Sequence, residues 1–168
     1  KLREAGKEGL TVELVTSPVA AGVVEAAQVF AQQAADAGIT VTIRRVDTGE
    51  FFGDAYLSWD FAQDFWFTRN FLAQASSGSL PDSPYNETHW DHPEFNRLVR
   101  EARATTDEAR RRDLIARAQQ IEWESGGYIV WGFPNQLDAH SVRVVGLAPD
   151  KSGIPLNSYG FRHAWLAQ

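Results

Sequence analysis

Two short stretches of this sequence hold side chains suited to gripping a small solute. In FWFTRNF, residues 65–71, Trp66 and Phe67 offer stacking faces, Arg69 a planar guanidinium fork for a carboxylate or phosphate, and Asn70 a mixed donor and acceptor. In NETHW, residues 86–90, Asn86, Glu87 and Thr88 are the polar groups and Trp90 is a packing or stacking ring. Each stretch also has a plainer reading. Trp66 and Phe71 would fill core with Arg69 solvated, and Asn86 and Thr88 would bond their own backbone.

Catalytic chemistry is poorly served. Asp60 and Asp64 stand an even number of residues apart and would share one face of a strand. A strand-start Asp more often caps a turn, and a working Asp64 would need a buried partner, so Asp64 is kept only as a residue near the solute. No nucleophile elbow, phosphate loop or Ser, His, Asp arrangement is found, so neither an enzyme nor a cofactor is expected. Glu87, His89, Asp91 and His92 have metal-ligating chemistry, yet they crowd into one loop and helix cap without Cys or a second cluster. Capping and solvation explain them, and no metal is expected. His140 and His163 stand alone.

The elements that must position these residues follow from periodicity. Residues 11–15 read as a strand, and Ser17 with Pro18 as the cap and early turn of a helix. That helix has Ala20, Val23, Val24, Ala27, Phe30, Ala31 and Ala34 on one face and Gly38 as its left-handed terminator. Ile39, Val41 and Ile43 alternate with Thr40, Thr42 and Arg44, the period of a second strand. Strand, helix and strand with short connections make a crossover unit, so the sheet is expected to be parallel. A helix over 48–57, a third strand over 60–66 and a short helical piece over 68–75 follow, then SSGSLPDSP as a loop. After NETHW, Pro93 opens a helix capped by Asp91 or His92, with Phe95, Leu98, Val99 and Ala102 as its buried stripe. Thr105 and Glu108 form a capping-box pattern for the next helix, whose stripe is Leu114, Ile115, Ala118 and Ile121. Gly126 and Gly127 end this hairpin, and residues 128–133 read as an apolar strand. Residues 142–145 suggest a short strand or turn and 157–162 another, while the closing AWLAQ has no legible pattern.

Composition bounds the rest. With 168 residues, 43% hydrophobic and 23% charged, the chain can bury a substantial core. A formal net charge of -6 argues against nucleic acid and anionic membranes, which need clustered Lys and Arg. The one basic cluster, Arg110 to Arg112, reads as a solvated face. Cysteine is absent, which removes disulfide and thiolate chemistry. There is no Met either, and the opening KLREAGKEGLTVELV reads as a short helix, a turn at Gly9 and a strand, a chain entered midway. A fragment of a longer polypeptide is expected.

Three phrases in this order, AGITVTIRRVDTGEFF, SWDFAQDFW and HPEFNRLVREARATTDEARRRDLIARAQQIEWESGGYIVWG, resemble the family 5 extracellular solute-binding proteins of ABC importers. The oligopeptide, dipeptide and nickel binders belong to that family, and the likeness runs over about residues 9–145. It implies an α/β fold of the periplasmic-binding-protein type II kind, a parallel-rich sheet flanked by helices. It further implies a bilobed receptor that closes on an organic solute, peptide-like or otherwise polar, and docks on a membrane permease, with a nickel or metal-chelate receptor or a stand-alone interaction module as alternatives. Residues 1–8 would be a lead-in, 9–145 the second lobe, and 146–168 a segment returning to an absent N-terminal lobe. The location implied is periplasmic or extracellular, membrane-associated through the permease. One departure bears on the ligand. Peptide-binding relatives follow the strand Trp with an acidic stretch that pairs with the peptide amine, whereas FWFTRNFLAQ has Arg69 and no acid between Phe65 and Ala75. That exchange is expected to disfavour a free amine and favour an anionic or hydrogen-bond-accepting group.

Overall fold

The structure is a computed structural model that describes residues 1–135, 137–148, 151 and 154–167. The chain divides into two compact units, Lys1–Phe65 and Trp66–Gln168.

In the first unit, residues 1–8 form turns, one closed by the Ala5 amide donating to the Lys1 carbonyl at 2.9 Å, instead of the short helix expected. Strand β1, Thr11–Thr16, pairs in parallel with β2, Thr40–Arg45, in a register that sets Thr11 against Thr40 and Thr16 against Arg45. Between them α1 runs over Val23–Asp36, and Gly38 follows at φ 78° as the periodicity implies. The helix starts five residues later than expected. Ser17 is buried with its hydroxyl 3.5 Å from that of Thr48, so it does not cap; Gly22, at φ 81°, makes the entry turn instead.

Helix α2 is only Thr48–Phe51, capped by the Asp47 carboxylate accepting from the Gly49 and Glu50 amides at 2.8 and 3.0 Å. Gly49 and Gly53 make the longer expected helix costly. The third strand shrinks to one parallel bridge between Val15 and Ala62, with hydrogen bonds of 3.0 and 2.9 Å. It joins β1 next to that strand's last residue, and the Asp64 carboxylate then accepts from the adjacent Phe65 amide at 2.7 Å, a local turn that competes with a ladder. Val15, Val46 and Phe51 form this unit's core, with Trp59 stacked on Phe51 at 6.2 Å and 23°.

In the second unit, α3 is Phe71–Gln74 and passes directly into a π-turn, Ala75–Ser79, where the sequence suggested a loop. Helices α4, Pro93–Ala104, and α5, Glu108–Ser125, form the hairpin. His92 caps α4 through Nδ1, which accepts from the Phe95 amide at 3.3 Å. Asp107, rather than the Thr105 and Glu108 box, caps α5, accepting from the Ala109 and Arg110 amides at 2.9 and 3.1 Å. A carboxylate at a helix start meets both orphan amides and the positive end of the dipole, which favours it over a hydroxyl two residues earlier. Arg111 is not simply solvated: its guanidinium donates to the Ala102 and Thr105 carbonyls and so satisfies the end of α4.

Phe95, Leu98, Val99, Ala102, Leu114 and Ala118 are buried together with Ala75 and Leu80, while Ile115 and Ile121 pack half-buried on their edge. On the outside, Arg97 pairs with Glu94 and Glu101, and Arg117 with Glu94. The Arg97 hydrogen bonds hold the Glu94 carboxyl below its ordinary value, yet surface pairs of this kind add little stability.

Residues 128–133 do not form the apolar strand expected. A strand needs a neighbour for its ladder, and among the described residues the remaining pair, β3 at Val144–Val145 and β4 at Trp165–Leu166, is antiparallel and bonded to itself. Ile129, Val130, Trp131 and Phe133 are accordingly exposed. Residues 156–159 form a turn with positive φ, and Phe161–His163 a 3-10 turn. No helix among the described residues is long and apolar enough to cross a membrane.

Near the end of α5, Glu122 accepts from the Ser79 hydroxyl at 2.6 Å. Burial pushes its carboxyl above the ordinary value, and the Ser79 hydrogen bond opposes that only in part. The native state therefore binds this proton more readily than the unfolded chain does, and stability must fall as pH rises through the interval from the ordinary carboxylate value to the raised one. Glu122→Gln keeps an acceptor for Ser79 and removes the charge. Its urea-unfolding free energy should lose that decline and exceed wild type at neutral pH; an unchanged slope would mean that Glu122 is not the group responsible.

Candidate functional site

The second unit brings two of the candidate residues, Arg69 and Glu87, to the indole of a third, Trp66. Trp66 lies half-buried against Tyr85 at 6.0 Å and 72°, and the Arg69 guanidinium carbon stands 5.0 Å from its ring centroid. The pyrrole edge points to Glu87, whose Oε2 accepts from Trp66 Nε1 at 3.4 Å. Beneath the ring lies Gly78 of the π-turn, where an added Cβ would sit 3.3 Å from Trp66 and 3.1 Å from the Tyr128 hydroxyl. A glycine there lets two aromatic side chains approach the backbone together.

Arg69 is exposed but not loose. Nη1 donates to Ser77 Oγ at 3.0 Å, and that hydroxyl donates in turn to the Ala73 carbonyl at 3.0 Å. Ser77 of the π-turn thereby anchors one nitrogen of the guanidinium. Asn70 is engaged differently from the sequence expectation. Its side-chain oxygen caps α3, accepting from the Ala73 amide at 3.1 Å.

NETHW is held from both sides. Asn86, buried, donates to the Trp90 carbonyl at 3.1 Å; Thr88 Oγ1 donates to Asn86 Oδ1 at 3.4 Å and accepts from the Trp90 amide at 3.3 Å. His89 takes φ 51°, a left-handed value that His tolerates better than most side chains. Trp90 packs toward the helical core, 4.7 Å from Phe95 and 5.7 Å from His92. Of the two readings of Asn86, Thr88 and Trp90, the local one accounts for these contacts.

The other side is closed by the turn after α5. An added Cβ at Gly127 would lie 2.5 Å from Thr88 Cβ, so glycine is what lets this turn touch the loop. The next residue, Tyr128, donates to Glu87 Oε2 at 3.1 Å. Phe67 is partly exposed, and Asp64 lies in the first unit with the Phe65 amide as a partner. Sequence reasoning missed Ser77, Tyr85 and Tyr128. The doublet Gly126, Gly127 before an aromatic was the signal for Tyr128, since paired glycines mark backbone that must approach something closely.

An exposed guanidinium, a carboxylate and aromatic faces have the chemistry to hold a polar solute. The fold is that of a type II periplasmic-binding-protein lobe. The ABC transporter-associated periplasmic binding protein DppA of Helicobacter pylori, solved with the peptide STSA, superposes with a TM-score of 0.76 at 20% identity over 99% of this chain and 33% of its own. NikA of Staphylococcus aureus, solved with Ni(L-His)2, gives 0.58 at 22% identity over 72% of this chain and 27% of its own. No family profile matches the chain. In sequence, Di/tripeptide-binding protein 4 of Pseudomonas aeruginosa is 32% identical over 157 residues, 86% of this chain. The chain spans 29% of the length of that relative. The likeness to family 5 solute-binding proteins thus holds in sequence and in backbone.

Proposed function

We propose that this chain is the second lobe of an extracytoplasmic receptor that captures a peptide-like or other polar organic solute and delivers it to an ABC permease. The observation that carries the reading is the 32% identity over 157 residues to a protein named for binding di- and tripeptides. Residues 9–145 are the lobe, residues 1–8 its lead-in, and residues 146–168 the return toward an N-terminal lobe. The work is binding, not turnover, in the periplasm or outside the cell, and association with the membrane runs through the permease.

Trp66, Phe67, Arg69 and Glu87 are the ligand-facing residues of the second unit in this reading, with Asn70, Asn86, Thr88 and Trp90 shaping the backbone around them. A metal-chelate receptor is the weaker alternative, because His92 Nδ1 is already engaged in capping α4.

Closure of two lobes buries most of a small ligand, and one lobe offers only part of that contact. Calorimetry with a panel of di- and tripeptides should therefore show the intact receptor binding at least about a hundredfold more tightly than these 168 residues alone. Equal affinity of the two would overturn the assignment as a lobe, and heat only with nickel chelates would favour the metal-chelate alternative.

A further inference from the structure

We propose that Glu122 is a positioning residue for the site around Trp66: from the last turn of α5 its carboxylate holds the π-turn Ala75–Ser79 through Ser79, and so sets the ring and the guanidinium that rest on that turn. This role rests on the receptor reading, and it belongs to a residue that needs no contact with the solute.

Both recognition groups of FWFTRNF are seated on the π-turn. Ser77 accepts from Arg69 Nη1 at 3.0 Å, and Gly78 backs Trp66 so closely that an added Cβ would lie 3.3 Å from the ring. The turn closes on itself through the Leu80 amide, which donates to the Ala75 carbonyl at 3.0 Å. Two of its hydroxyls stay within the segment, Ser76 donating to the Leu72 carbonyl at 2.8 Å and Ser77 to that of Ala73 at 3.0 Å. Ser79 points the other way. Buried, it crosses 43 positions of sequence to reach Glu122 Oε1 at 2.6 Å, a length within the range of a hydroxyl bonded to a carboxylate.

Glu122 is poorly placed if stability alone chose it. The C-terminal end of a helix favours cations, and burial works against an ionised carboxyl, which is pushed above its ordinary value here. A residue that breaks both rules yet anchors a neighbouring segment is expected where function depends on the anchor. The glycines that follow fit the same purpose. An added Cβ at Gly126 would lie 3.1 Å from Glu122 Cγ, and one at Gly127 would lie 2.5 Å from Thr88 Cβ. The end of α5 therefore touches both recognition stretches, FWFTRNF by way of Ser79 and the π-turn, and NETHW at Thr88.

The test uses the intact receptor with trialanine as the probe, after circular dichroism confirms folding. Glu122→Leu fills the space without an acceptor and Ser79→Ala removes the donor; each should weaken binding in calorimetry by about threefold or more. The double variant should bind no more weakly than the worse single one, because both substitutions remove the same bond. Glu122→Gln, which keeps an acceptor, should stay within about twofold of wild type. In the solute-free receptor, Glu122→Leu and Ser79→Ala should also move the indole 15N–1H resonance of Trp66, assigned with Trp66→Phe. Ile115→Val, a packing change in the same helix, should leave that resonance and the affinity in place. Wild-type affinity in Ser79→Ala and in Glu122→Leu overturns the proposal and spares the receptor reading, as do losses that simply add in the double variant. If Glu122→Leu does not fold, Ser79→Ala decides alone. A wild-type receptor that binds neither trialanine nor any member of the di- and tripeptide panel overturns both.

Discussion

Phe95→Ala should destabilise the protein by about 3–5 kcal/mol, the cost of emptying a fully buried aromatic site that its neighbours cannot collapse to fill. The neighbours explain the magnitude. Phe95 meets Phe71 of α3 edge-on at 6.3 Å and Trp90 at 4.7 Å, and it packs among Leu98, Val99, Ala102, Leu114 and Ala118 of the hairpin. Phe71 and Trp90 flank the two recognition stretches, so truncation removes the common wall against which both are set. Urea unfolding followed by circular dichroism measures the loss, with Ile115→Val on the half-buried edge of the same core as a mild comparison of about 1 kcal/mol. A loss under about 1 kcal/mol for Phe95→Ala would mean that the core closes over the gap and that the ring is not its centre.

In the intact receptor, Arg69→Ala should weaken solute binding by about 1.5–3 kcal/mol, the range for a hydrogen bond to a charged group, which is roughly tenfold to over a hundredfold in Kd. The structure separates this from a stability effect. Within the protein, Arg69 donates to one neutral hydroxyl and covers one half-buried ring, contacts whose loss costs about 1 kcal/mol or less. Arg69→Lys keeps the charge but loses the planar fork, so it should recover only part of the affinity for a carboxylate. The measurement is calorimetry with trialanine and its C-terminal amide, after circular dichroism confirms folding. The amide should lose little on going to Arg69→Ala, and His89→Ala should change little with either probe. Equal affinity of Arg69→Ala and wild type for trialanine would return Arg69 to the solvent.

The helical hairpin and the first crossover were legible because each is specified locally. Phe95, Leu98, Val99 and Ala102 recur at helical spacing, and all four are buried; Ile39, Val41 and Ile43 alternate, and β2 lies there. Caps were legible only to within a turn, since Asp91, His92, Thr105 and Asp107 all have capping chemistry and geometry chooses among them. The strand expected over 60–66 failed for a nonlocal reason: its residues suit a ladder, but it meets β1 at a single bridge. Around Trp66, residue types singled out the stretch, whereas its partners were not legible. Glu87 and Tyr128 come from 21 and 62 positions away in the chain, and no periodicity links them to Trp66.

The exposed run after Tyr128 also governs how the chain behaves in a test tube. YIVWGF is an uncharged hexapeptide of β-branched and aromatic residues apart from Gly132, the composition that seeds intermolecular strand pairing when nothing covers it. Pro134 stands directly after it and cannot donate to a ladder, which makes it a gatekeeper against growth in one direction. Solubility of this sequence is therefore a matter of concentration and of the order in which segments are made, because each second that the run waits uncovered is a second available for contact with another copy.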